Sequence, residues 1–61
     1  MTDQQLCRTF EAMSVFGGGF CSKLAAAWDH ADRSNKARIE QAFSHLIEQY
    51  GPDSIFYQKQ F

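Results

Sequence analysis

A single proline, Pro52, stands in the chain, so no position before it carries the residue that most sharply interrupts a helix. Cysteine is scarce as well: Cys7 and Cys21 fall on what the periodicity marks as separate helices. The start, Met1 to Gln5, is polar and acidic instead of basic and then apolar, and so lacks the pattern of a secretory leader. Free thiols in a reducing cytoplasm are therefore expected, in place of a disulfide scaffold. No apolar run approaches the roughly 18 residues of a membrane span. Neither sign of charge dominates, because six Lys and Arg stand against seven Asp and Glu for a net −1. That balance excludes a global field attracting nucleic acid or anionic lipid, and the dense acidity of a DNA mimic.

What is present is apolar and aromatic. The 61 residues are 44% hydrophobic and include six phenylalanines, two tyrosines and one tryptophan, which excludes disorder. A chain this short makes one domain, spanning 1–61, and buries only about 60% of the surface its unfolded form exposes. So small an object leaves some rings uncovered, and self-association into a homo-oligomer is the expectation.

Hydrophobic periodicity predicts three helices. Over 3–16 the positions Leu6, Phe10 and Met13 form one stripe, with Thr2 or Asp3 as N-cap and Gly17 placed to close the helix in the left-handed conformation. Over 19–31, Phe20, Leu24, Ala27, Trp28 and Ala31 repeat the pattern, and Ala25 to Ala27 make a narrow waist. Over 33–50, Asp32 caps a continuous face of Ile39, Ala42, Phe43, Leu46, Ile47 and Tyr50, which Gly51 and Pro52 end. The tail 52–61 forms either a last helical turn capped by Asp53 or Ser54, or an extended arm. The fold class is all-α, a small three-helix bundle with an apolar C-terminal tail. Met13, Phe16, Phe20 and Trp28 are core by spacing.

Four features bear on chemistry. Gly17 to Gly19 resemble a phosphate-cradling loop only superficially: a helix precedes them, the second glycine of a P-loop is missing at its spacing, and the order is Ser22-Lys23. They read as a joint between helices, with Phe16 and Phe20 packing on either side of the bend. Cys7, Cys21, His30 and His45 follow one another at intervals of 14, 9 and 15, without the close pairs that let one turn present two zinc ligands, so no metal or other cofactor is expected. Cys21 near a helix start is a conceivable reactive thiol. The blander reading makes both cysteines half-buried hydrophobes, and three helices leave little room for a catalytic pocket, so the chain reads as a non-enzyme.

The stretch Asp32 to Arg38 holds half of the basic residues, and Arg33, Asn35, Lys36 and Arg38 are types that read bases or phosphates from the start of a recognition helix. Against that, Asp32 and Lys36 form an acid-before-base pair four residues apart, as on an ordinary solvated helix. Ile55, Phe56, Tyr57 and Phe61 either close the bundle or present an aromatic anchor to a partner.

The run from Phe16 to Gly51, "FGGGFCSKLAAAWDHADRSNKARIEQAFSHLIEQYG", resembles short helical proteins encoded by bacteriophages, prophages and other mobile elements. In those, glycines and an aromatic precede an "LAxAW" helix, and "AD", "N", "R" and "AF" lead to a closing "YG". Arg33 stands where such sequences often have proline. The resemblance implies a bacterial cytoplasmic setting and an accessory role during infection, and brings no catalytic residue. The functional expectation is protein–protein interaction, with a host protein as partner; the alternative is a helix-turn-helix-like DNA binder acting as a dimer through the third helix.

Overall fold

The computed structural model describes residues 1–59. In chain order the helices are α1 Asp3–Phe16, α2 Gly18–His30, α3 Arg33–Ala42, α4 Ser44–Tyr50 and α5 Ile55–Lys59. The all-α expectation holds, and no strand occurs among the described residues. α1 is the hub, with α2, α4 and α5 all packed against it, while α3 rests on α2.

Local chemistry explains most of the boundaries. Thr2 caps α1 in a reciprocal box: its hydroxyl accepts from the Gln5 N–H at 3.1 Å, and the Gln5 carboxamide accepts from the Thr2 N–H at 2.9 Å. Asp32 caps α3 through the Asn35 N–H at 2.8 Å. After Gly51 ends α4, the Ser54 hydroxyl accepts from the Tyr57 N–H at 3.1 Å and caps a short helix over Ile55–Lys59, so the described part of the tail ends in a helical turn and not an extended arm. Thr9 is fully buried within α1, and its hydroxyl donates to the Gln5 carbonyl at 2.7 Å, which leaves no unpaired polar group there.

The joint between α1 and α2 differs from expectation in its detail. Gly17 is right-handed, at φ −93° and ψ 0°, and the left-handed residue is Gly18 at φ +83°. Gly17 is required for a different reason. A Cβ there would stand 2.5 Å from the Cys21 Cβ and 2.7 Å from the Met13 carbonyl oxygen, so α1 and α2 meet closely only because it is absent.

The expected third helix, 33–50, is two helices divided at Phe43 (φ −116°, ψ 34°). A straight 18-residue rod would run about 27 Å in one direction. Here α3 has to stay on Trp28 of α2 while α4 turns to α1, and the bend at Phe43 serves both contacts. Three rods therefore become five helices, with a tail that packs through Phe56 against Tyr50 and Phe16 at 5.0 and 5.4 Å between ring centroids.

The buried interior is Phe10, Ala12, Met13, Cys21, Ala25, Trp28 and Tyr50, with Leu6, Leu24, Ile39, Leu46, Ile47 and Phe56 half-buried around it. Trp28 is its centre. The indole stacks on Phe10 at 4.4 Å and 9° between planes, and its Nε1–H donates to Glu40 Oε2 at 2.9 Å. The Lys36 ammonium lies over the same ring, 4.5 Å from its centroid. α3 has no fully buried side chain, so these contacts, with Ile39, hold it in place.

Candidate interaction surface

Met13 and Trp28 are core, as expected, but Phe16 and Phe20 are not: Phe16 is 40% and Phe20 62% exposed. The reason is the close joint. With a single glycine between helices, Cys21 in the first turn of α2 is the residue brought against the end of α1, and its neighbour Phe20 is turned about 100° away from that contact. The interior is lined instead by Cys21, Ala25 and Trp28, spaced i, i+4 and i+7, and Phe20 falls on the flank of α2. Val15 at 66% and Ile55 at 62% are also exposed.

Two aromatic clusters flank the glycine elbow. On one side Phe16 meets Phe56, which meets Tyr50. On the other, Phe20 meets Phe43 at 5.7 Å, and Phe43 lies 6.3 Å from His45. Each elbow ring is thus held at one edge by a half-buried neighbour and exposed at the other. A ring supported in this way loses little side-chain freedom on docking, which is the property of a binding anchor.

Of the tail residues, Ile55 is exposed, Phe56 and Tyr57 are half-buried, and Phe61 lies outside the described residues. Through the Phe16–Phe56 contact, α5 meets the last residue of α1. Val15 was missed because it lies off the α1 stripe. Phe20 lies off the buried face of α2, whose signal in the sequence is the i, i+4, i+7 spacing of Cys21, Ala25 and Trp28.

The basic residues are dispersed in role. Arg33, Asn35 and Arg38 are exposed, while Lys36 is half-buried on Trp28. Arg33 and Lys36 line a hollow of about 340 Å³ whose walls also carry Asp3 and Glu40, so its lining holds two cations and two acids. A second hollow, of about 400 Å³ between α1 and α2, is lined by Cys7, Ser14, Ser22, Ala26, Glu11 and Asp29, among others.

Cys7 is exposed and Cys21 buried, so neither is the half-buried residue expected. No group of three or more His, Cys, Asp or Glu among the described residues is placed to hold a metal ion. Burial speaks against Cys21 as a reactive thiol. In the native protein Cys7 should alkylate at the rate of an open thiol and Cys21 at least about tenfold more slowly, since Cys21 reacts only when α1 and α2 part. Mass spectrometry of a timed iodoacetamide reaction reads the two rates, and Cys21 reacting first would contradict the packing.

Among the described residues no helix is long and apolar enough to cross a membrane. No protein-family model, curated protein or solved structure matches the chain.

Proposed function

We propose that this chain is an accessory protein of the kind carried by bacteriophages and other mobile elements, working in the bacterial cytoplasm by binding protein and not by catalysis. The observation that carries the reading is the exposure of Val15, Phe16, Phe20 and Ile55 at the glycine elbow. Small folded chains seldom leave several large apolar side chains uncovered at one end, and where they do, the patch commonly marks an interaction site. The setting implied by Phe16 to Gly51 makes a host protein the expected partner. The tail acts through Ile55, which is exposed, and Phe56, which braces Phe16.

DNA binding through α3 draws support from the exposed Arg33, Asn35 and Arg38. It draws less from Lys36, which is engaged by Trp28, and from the Asp3 and Glu40 carboxylates beside it. The two readings separate on one pair of variants. Immobilised wild-type chain should retain a host protein that the Phe20→Ser/Ile55→Ser variant loses by at least about tenfold, while Arg33→Gln/Arg38→Gln retains it. Retention lost with the arginines and kept without the apolar pair, together with a shifted DNA band, would replace this reading with the alternative.

A further inference from the structure

We infer that α3 is a strap over Trp28: it opens as a unit of its own while α1, α2 and α4 stay folded, and in doing so covers and uncovers one face of the indole and its N–H.

The backbone separates α3 at both ends. The Ala31 N–H closes α2 on the Trp28 carbonyl at 3.1 Å, after which Ala31 and Asp32 are extended, at ψ 150° and 174°. α3 starts its own ladder on the Asp32 carbonyl, which accepts from the Lys36 N–H at 2.8 Å, and finishes it with the Phe43 N–H on the Ile39 carbonyl at 2.9 Å. α4 begins afresh on the Phe43 carbonyl, which accepts from the Leu46 and Ile47 N–H groups at 3.0 and 3.2 Å. Melting α3 therefore breaks no hydrogen bond inside α2 or α4, and the two junctions serve as its hinges.

Little apolar surface holds α3 down. Of its ten residues only Lys36, Ile39 and Glu40 are half-buried, and the others are exposed. Among the described helices it packs on α2 and α4 and not on α1, from which the hollow of about 340 Å³ separates it, with Leu6 and Cys7 on one wall and Arg33 and Ala37 on the other. Its attachment is concentrated at one ring. Phe10 stacks on one face of Trp28, so Lys36, 4.5 Å from the centroid, takes the other, while Glu40 accepts from Nε1. Two of the three half-buried side chains are thus charged, and on opening both they and the indole N–H are repaid by water. Parting α1 from α2 has no such compensation, because it exposes Phe10, Met13, Cys21 and Ala25. The strap is accordingly the element that opens first. A ten-residue helix does not persist alone in water, so an undocked α3 melts and its amides exchange with solvent.

Hydrogen exchange of the full chain, followed by nuclear magnetic resonance and corrected for intrinsic rates, tests the strap. The α3 amides from Ala37 to Ala42 should be at least about tenfold less protected than those of Phe10 to Met13 and Ala25 to Trp28, with little dependence on sub-denaturing urea where the core amides depend on it steeply. The Trp28 Nε1–H should exchange with the α3 amides and not with the Trp28 main-chain N–H, because opening α3 is what bares it. Glu40→Leu, which removes the acceptor, should speed exchange in α3 at least about tenfold, and Glu40→Gln should leave it within about threefold. Three results would each overturn the inference: α3 amides that share the protection and urea dependence of the core, an Nε1–H that keeps core protection while α3 exchanges, or a Glu40→Leu chain whose α3 exchanges at the wild-type rate.

Discussion

Trp28→Ala is expected to leave the chain largely unfolded at 25 °C. A domain of this size is held by about 3–9 kcal/mol in total. Truncating a buried tryptophan removes about 3–5 kcal/mol through lost burial and the cavity left behind. The stack on Phe10 is worth about 0.5–1.5 kcal/mol more. The same change removes the donor that Glu40 accepts from and the ring under Lys36, so α3, which has no fully buried side chain of its own, loses its main attachment. Far-ultraviolet circular dichroism with a thermal melt measures the outcome. Glu40→Gln keeps an acceptor at Nε1 and should cost little, whereas Glu40→Leu leaves the indole N–H buried and unpaired at about 1–3 kcal/mol. A Trp28→Ala protein that melts cooperatively within a few degrees of wild type would contradict the central role given to this ring.

Gly17→Ala should be the most damaging single-methyl change in the protein, at about 2–3 kcal/mol or more. The added carbon would sit 2.5 Å from the Cys21 Cβ, 2.7 Å from its sulfur and 2.7 Å from the Met13 carbonyl. Two of those three neighbours are backbone or Cβ: the Cys21 Cβ yields only if α2 moves away from the end of α1, and the Met13 carbonyl only if the last turn of α1 opens. Adding Cys21→Ala should therefore fail to restore stability, because it removes the sulfur and leaves the other two contacts. Gly18→Ala should cost about 1 kcal/mol for its left-handed φ, and Gly19→Ala nothing, or a slight gain from helix propensity. Denaturant melts of the three variants give an ordered series, and a loss at Gly18 that exceeds the loss at Gly17 would mean that the elbow is constrained by conformation and not by the close approach at Gly17.

That series shows where sequence reasoning stops at the elbow. Three consecutive glycines identify a joint, because no other residue relieves so many steric limits at once. Which of them takes positive φ depends on where the two helices come into contact, and that is decided by Cys21 lying against Gly17. The exposure of Phe20 was hidden in the same way. Two stripes on α2 satisfy the same period, one led by Phe20 and Leu24 and one by Cys21 and Ala25, and the larger side chains appeared the better core. Of the alanine waist only Ala25 is buried: with Cys21 it forms the narrow side that lets α1 approach, while Ala26 and Ala27 are exposed. The break at Phe43 leaves no local mark, since neither glycine nor proline stands there.

What the residues determined unaided were the cap at Asp32, a cap at Thr2 or its neighbour Asp3, the stop at Gly51, the helical class and the burial of Met13 and Trp28. Each of these depends on groups within four or so positions along the chain, or on the period of a single helix. The division of the third helix, the placing of Phe16 and Phe20 in solvent, the burial of Cys21 and the engagement of Lys36 by Trp28 were settled only when separate helices met. The physical reason is that burial belongs to pairs of surfaces: a side chain's own chemistry sets what covering it is worth, and the distance of closest approach between helices sets whether it is covered.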